Sequence, residues 1–180
     1  MEPWRVLHTR YLLKRWWMNL RVDRVRLPDG TEIEEFHVVE YPDWACVVCL
    51  DREGHLVLVR QYRHGIGRTL LECPAGAVGP AEEPLAAAQR ELLEETGYAA
   101  EEWIYLGRCA PEPSKHTNYA HLFVARGARP VQPPQLDHTE DLSVHRVPLE
   151  EAFRQAEDGD LAHGIHLTAL FWARQRGLLE

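Results

Sequence analysis

An α+β fold, or a layered arrangement of helix, sheet and helix, is predicted by three features of the sequence. Runs of apolar and β-branched residues fill the chain before residue 73. One strongly patterned helix occupies the middle, near residues 84–96. Strand patterns then resume, and two further helical patterns close the chain.

In chain order, RVDRVRLPDGTEIEEFHVVE reads as two strands joined around Pro28-Asp29-Gly30, where proline fixes φ and glycine frees it. WACVVCL and HLVLVRQYR form a second hairpin across Asp51-Arg52-Glu53-Gly54. TLLECPAG is a short strand, and IYLGRC, AHLFVARG and LSVHRVPL are later ones. PLEEAFRQAEDG and GIHLTALFWARQRG have helical spacing and end at glycine. GARPVQPPQ reads as a proline-rich surface loop. Trp16 and Trp17 stand where a strand is expected to begin. Alternation there would put Trp16 with Met18, Leu20 and Val22 on an apolar face and leave Trp17 among polar neighbours.

Composition narrows the function classes. At 180 residues, with 45% hydrophobic and 27% charged side chains, the chain suits one globular domain with additions. A net charge of -8 argues against a nucleic-acid partner, which needs clustered Lys and Arg. No apolar run reaches membrane-spanning length and the first residues lack a signal-peptide pattern, so the expectation is a cytoplasmic protein with no membrane partner. Cys46 and Cys49 are a C-x-x-C inside a strand pattern, where residues three apart face opposite ways, so all four cysteines read as reduced thiols. His163 and His166 read as ordinary surface residues, because two imidazoles without a third ligand make no metal site.

The central helix carries the chemistry. Pro84 suits its first turn and Gly97 the position just past its end. Leu85, Ala88, Leu92 and, less squarely, Leu93 are expected to supply its buried side. Glu91, Glu94 and Glu95 fall at i, i+3 and i+4, a spacing that brings side chains to about 5–6 Å at Cβ. Three carboxylates so close repel one another, and acid at a helix C-terminus opposes the macrodipole. A hard divalent cation is the economical compensation, since Mg²⁺ binds through carboxylates plus substrate phosphates. Arg90 flanks the cluster and can brace a glutamate.

The segment Gly76-x5-Glu82-x7-Arg90-Glu91-Leu92-x-Glu94-Glu95-x-Gly97-Tyr98 resembles the Nudix box at each defining position. The resemblance, which runs from about Tyr41 to the last helix, implies a Nudix hydrolase with an α/β/α sandwich of mixed sheets. Residues 41–180 would form that domain, with residues 1–40 as an N-terminal β-hairpin extension that dimerises the protein. It implies Mg²⁺, with Mn²⁺ as a substitute, held by Glu91, Glu94, Glu95 and the carbonyl of Ala75. Gly76, Glu82 and Arg90 match positions that support the loop and helix.

VLVRQYRHGIGRTLLECPAG is similar to the branch acting on ADP-ribose and nucleoside diphosphate sugars, which implies Arg63 on the diphosphate and Glu72 in the substrate cleft. The product pair would be a nucleoside monophosphate and a sugar phosphate. GDP-mannose, a dinucleotide, or a non-catalytic nucleotide-sensing role are the alternatives. The same resemblance implies a general base from LDHTEDLSVHRVPLEEA, with Glu140 the choice, and an N-terminal aromatic, Trp17, against the nucleobase.

Overall fold

A computed structural model describes residues 1–179, which divide into two compact units. One comprises Met1–Asp43 with Ala110–Tyr119. It is built on an antiparallel sheet of three strands in sequence order, β1 (Arg5–Lys14), β2 (Asn19–Arg26) and β3 (Glu32–Glu40). β2 and β3 match the two strands expected from the sequence, and β1 is an additional one. β1 escapes pattern analysis because nearly all of it is exposed, so no alternation of apolar and polar residues marks it.

The turn from β2 to β3 sits at the predicted place. Asp29 Oδ1 accepts the Thr31 N–H at 2.9 Å, and Gly30 takes a φ of 90°. Residues 110–119 join this unit by bridging to β3, with Val39 N–H donating to Lys115 O and Thr117 N–H to Val39 O.

Trp16 and Trp17 do not begin a strand. They form the turn between β1 and β2, closed by Arg15 N–H on Met18 O at 3.0 Å. Trp16 is 96% exposed rather than packed on a core face, and Trp17 is 46% exposed. Apolar composition suggested a strand, but a hairpin needs its reversal where the flanking strands demand it.

The second unit contains the remaining residues. Its sheet comprises β4 (Trp44–Asp51), β5 (His55–Arg63), β6 (Arg68–Glu72), β7 (Ala75–Ala77), β8 (Tyr98–Ala99), β9 (Glu102–Cys109), β10 (Ala120–Pro130) and β11 (Leu142–Pro148). Its helices are α1 (Pro84–Thr96), α2 (Leu149–Glu157) and α3 (Gly164–Gln175).

β4 explains why WACVVCL is apolar throughout. Cys46, Val48 and Leu50 pack with residues of α2 and α3, whereas Ala45, Val47 and Cys49 pack with Ala87, Ala88 and Leu92 of α1. A strand covered by helices on both faces has no polar side to show. The unit is therefore an α/β/α sandwich, and its sheet is mixed because β10 runs parallel to β4 and antiparallel to β9.

β4 and β5 pair only at Cys49–Val57 and Leu50–Leu56. Beyond that they part, β4 taking β7 as its neighbour and β5 taking β6. The backbone crosses between them at Cys73-Pro74, where Val47 N–H donates to Pro74 O at 2.9 Å. β10 continues through Gly127, which has a φ of 65°, to Pro130, so the expected surface loop is strand for its first half. Among the described residues no helix is long and apolar enough to cross a membrane.

Candidate active site

α1 starts at Pro84 and ends against Gly97, whose φ of 74° places its N–H on Leu93 O. A Cβ at Gly97 would stand 2.0 Å from Gln132 O, so only glycine fits both the left-handed cap and the loop lying on it. That loop also satisfies the helix end, with Gln135 N–H donating to Glu94 O at 2.8 Å.

The buried stripe of α1 is Ala87, Ala88, Glu91, Leu92, Glu95 and Thr96. Leu85 is exposed and Leu93 only half-buried, which corrects the expectation that they supply the inner side. Two of the three glutamates point inward instead, toward β7.

Glu95 Oε2 accepts the Ala75 N–H at 3.0 Å. Burial beside the charge of Glu91 pushes the Glu95 carboxyl up to about 8. Glu91 is raised as well, chiefly by burial, with Arg90 opposing that shift. Glu140 lies close enough for its charge to bear on both Glu91 and Glu95. It sits before β11, in a turn where its Oε2 accepts the Asp137 N–H at 2.9 Å.

Arg90 organises the flank. Its Nε and Nη2 donate to the two oxygens of Glu82 at 3.0 and 3.1 Å, and Nη2 also reaches Ala77 O at 3.0 Å. Glu82 Oε2 in turn accepts the Gly79 N–H at 2.7 Å. Arg90 Nη1 donates to Glu91 Oε1 at 2.6 Å and Glu94 Oε2 at 3.0 Å. The guanidinium is held firmly protonated, first by Glu82 and then by Glu91 and Glu94. It fastens the loop of residues 77–82 to the acidic helix.

No three His, Cys, Asp or Glu side chains among the described residues close into a metal cage. The hydrogen bonds give the reason: Arg90 holds Glu91 and Glu94, the latter at the solvent rim, while Ala75 N–H holds Glu95. The donors nevertheless fit a hard cation. They are all oxygens, and Glu91 and Glu95 crowd two carboxylates into an interior that raises both. A Cβ at Gly76 would fall 2.2 Å from Glu91 Cδ and Oε1, so the absent side chain is what admits the carboxylate.

Arg63 and Glu72 meet across the β5–β6 pair. Arg63 Nε donates to Glu72 Oε1 at 2.8 Å and Nη2 to Oε2, a bidentate pair with the carboxylate closed off from solvent. Glu72 thus stands beneath Arg63, and the charge of Arg63 also reaches Glu95.

His163 and His166 correct the surface reading. His166 is fully buried, with Nδ1 3.8 Å from Glu72 Oε2, and its ring stacks on that of His163 at 4.2 Å. The signal was present in the sequence. His166, Ala169, Leu170 and Ala173 form the buried stripe of α3 at helical spacing. Trp17 belongs to the other compact unit, on its β1–β2 turn.

Comparison with known proteins gives consistent matches. The model of the NUDIX domain matches residues 40–169, and that of the nucleoside diphosphate sugar hydrolase N-terminal domain matches residues 4–39. An ADP-ribose pyrophosphatase of Mycobacterium tuberculosis is 35% identical over 153 residues, covering 84% of this chain and 73% of that protein. An ADP-ribose pyrophosphatase of Bacillus subtilis is 32% identical over 164 residues, covering 88% of each. Among solved structures, one titled as an ADP compounds hydrolase superposes with a TM-score of 0.84 at 23% identity, covering 98% of this chain and 95% of that one.

Proposed function

Because this chain belongs to the Nudix family of hydrolases, we propose that it cleaves the diphosphate of ADP-ribose or a related nucleoside diphosphate sugar. Water adds to one phosphorus and the P–O–P bond breaks, giving a nucleoside monophosphate and a sugar phosphate. The observation that carries this reading is the pair of inward carboxylates, Glu91 and Glu95, set against the β7 backbone with Arg63 close by.

In the proposed site, Glu91, Glu95, the rim residue Glu94 and the Ala75 carbonyl would hold Mg²⁺, or Mn²⁺ in its place. When bound, the cation neutralises diphosphate charge and makes water more acidic. Arg90 and Glu82 keep the loop and helix in register. Arg63, a planar cation with five donors, binds the diphosphate, and Glu72 fixes its orientation from below.

Incubating the protein with a panel of nucleoside diphosphate derivatives and Mg²⁺, then identifying products by ³¹P NMR and chromatography, tests the reading. Cleavage of ADP-ribose and ADP-sugars ahead of the rest is expected. Preference for GDP-mannose or a dinucleotide would move the substrate class, and no hydrolysis across the panel would sink the enzymatic reading.

Glu140 is the proposed general base. Its loop position and its electrostatic reach to Glu91 and Glu95 support that role. Glu140→Gln is expected to lower kcat about 10²–10⁴-fold while sparing Mg²⁺ affinity. An unchanged pH–rate profile in that variant would transfer the role elsewhere.

We assign residues 1–40 to homodimer formation and Trp17 to stacking on the nucleobase. Trp17 is half-exposed on a turn, as a stacking surface requires. Trp17→Ala should weaken binding of ADP-ribose by roughly 1–3 kcal/mol, read as a rise in KM. A substrate lacking a base should be barely affected; equal losses on both, with the dimer intact by light scattering, would make Trp17 a packing residue. Action in the cytoplasm accords with four free cysteines, three of them buried.

A further inference from the structure

His166 is a polar residue sealed inside the sandwich. It is 0% exposed, and neither Nδ1 nor Nε2 has a hydrogen-bond partner among the described residues. A buried donor without an acceptor is destabilising, and an aliphatic side chain on this stripe of α3 would avoid the cost. What the imidazole faces is Glu72. Its Nδ1 lies 3.8 Å from Oε2, the same oxygen that takes Nη2 of Arg63.

We propose that His166 is a positioning residue that takes over Glu72 Oε2 when Arg63 turns toward a diphosphate. This rests on the reading of Arg63 as the residue that binds that group.

The exchange follows from the donor count. Glu72 is sealed from solvent, and among the described residues its two oxygens are hydrogen-bonded by Arg63 alone. Moving Nη2 onto a phosphate would leave Oε2 as an unpaired charge in the interior, which strongly opposes the movement. His166 Nδ1–H stands one short shift away, since a separation of 3.8 Å must close to only about 2.9 Å for a hydrogen bond.

The imidazole is suited to the task. Burial and the neighbouring His163 and Arg63 hold it neutral, so it offers one N–H and one lone pair. With the lone pair on Nδ1 it would repel the carboxylate, whereas with the proton there it donates. His163, stacked at 4.2 Å with planes 12° apart, covers one face of the ring and leaves movement in its own plane unopposed by that contact. Its own Nδ1 is occupied by the Ile165 N–H, at the start of α3. A donor is thereby held in reserve behind the arginine, on a different element from the one that carries the glutamate.

The test has one arm that needs no turnover. Two-dimensional ¹⁵N–¹H spectra of the full chain labelled in histidine should give His166 as the neutral tautomer protonated on Nδ1, with its signals moved by Glu72→Gln. An Nε2–H tautomer, or signals indifferent to Glu72→Gln, would overturn the proposal even if the substrate panel succeeds. The kinetic arm compares His166→Leu with His166→Asn, whose amide keeps a donor near the place of Nδ1. His166→Leu should raise KM for ADP-ribose about tenfold with kcat within about threefold, and His166→Asn should recover most of the loss. The leucine variant should also melt no lower than wild type. Equal KM values in the two variants and wild type would overturn the proposal. If the wild-type protein hydrolyses no nucleoside diphosphate derivative, the functional reading fails, and the tautomer still decides whether His166 serves Glu72.

Discussion

Glu95→Gln is expected to leave the fold intact and reduce kcat on the order of 10²–10³-fold in saturating Mg²⁺, the loss typical of removing one preorganised stabilising group. The substitution is nearly isosteric, and its amide oxygen can still accept the Ala75 N–H that the carboxylate now takes at 3.0 Å. Only the charge is lost. Without metal that charge is a burden: burial beside Glu91 lifts the carboxyl from its ordinary 4.5 to about 8. Between those values the native state holds a proton that the unfolded chain has released, so metal-free stability falls as pH rises from about 4.5 through about 8. The variant lacks this dependence. In EDTA it should melt near wild type at pH 5 and above it at pH 8, while Mg²⁺ raises the wild-type melting temperature more than the variant's. Near wild-type turnover with Mg²⁺ would rule Glu95 out of the site.

The same residue marks how far the sequence could be read. The bounds of α1 were legible because Pro84 and Gly97 act through backbone geometry, which is local. Its buried face was not. Periodicity sorts side chains by polarity, so Leu85 reads as inside, whereas the fold buries Glu91 and Glu95 and exposes Leu85. β4 was legible as a buried strand because both its faces are covered and its apolar run is unbroken. β1 was missed because it is exposed on both faces and carries no pattern at all. Trp16 was misjudged from its chemistry alone. Arg63 and Glu72 meet across neighbouring strands, but the approach of His166 from α3 to Glu72 joins elements far apart in the chain, and no spacing rule reports such a meeting. His166 itself could have been found, since it falls on the inner stripe of an apolar helix, where a histidine needs explaining.

Gly76→Ala should separate the site from the fold without touching a glutamate. Gly76 lies in β7 opposite Ala45, with a φ outside the left-handed region, so its backbone is one that alanine adopts without strain. What alanine cannot share is space. Its Cβ would stand 2.2 Å from Cδ and Oε1 of Glu91 and 2.5 Å from Oε2. These atoms are the far end of a flexible side chain, which can swing out while α1 and β7 stay in place. The sandwich should therefore survive, with a melting temperature close to wild type in metal-free buffer. The carboxylate, however, leaves the space between helix and strand where it faces Glu95, and the new rotamer pulls on Arg90 Nη1, which now joins it to Glu94. Cation affinity or activity should fall about 10–100-fold at the least, the range for disturbing groups that orient metal ligands. Isothermal titration with Mn²⁺ and kcat/KM for ADP-ribose measure the two losses independently. A folded variant that binds Mn²⁺ as tightly as wild type would show that Glu91 does not ligate from its present position, and the cation would then have to be held by Glu94, Glu95 and the Ala75 carbonyl alone.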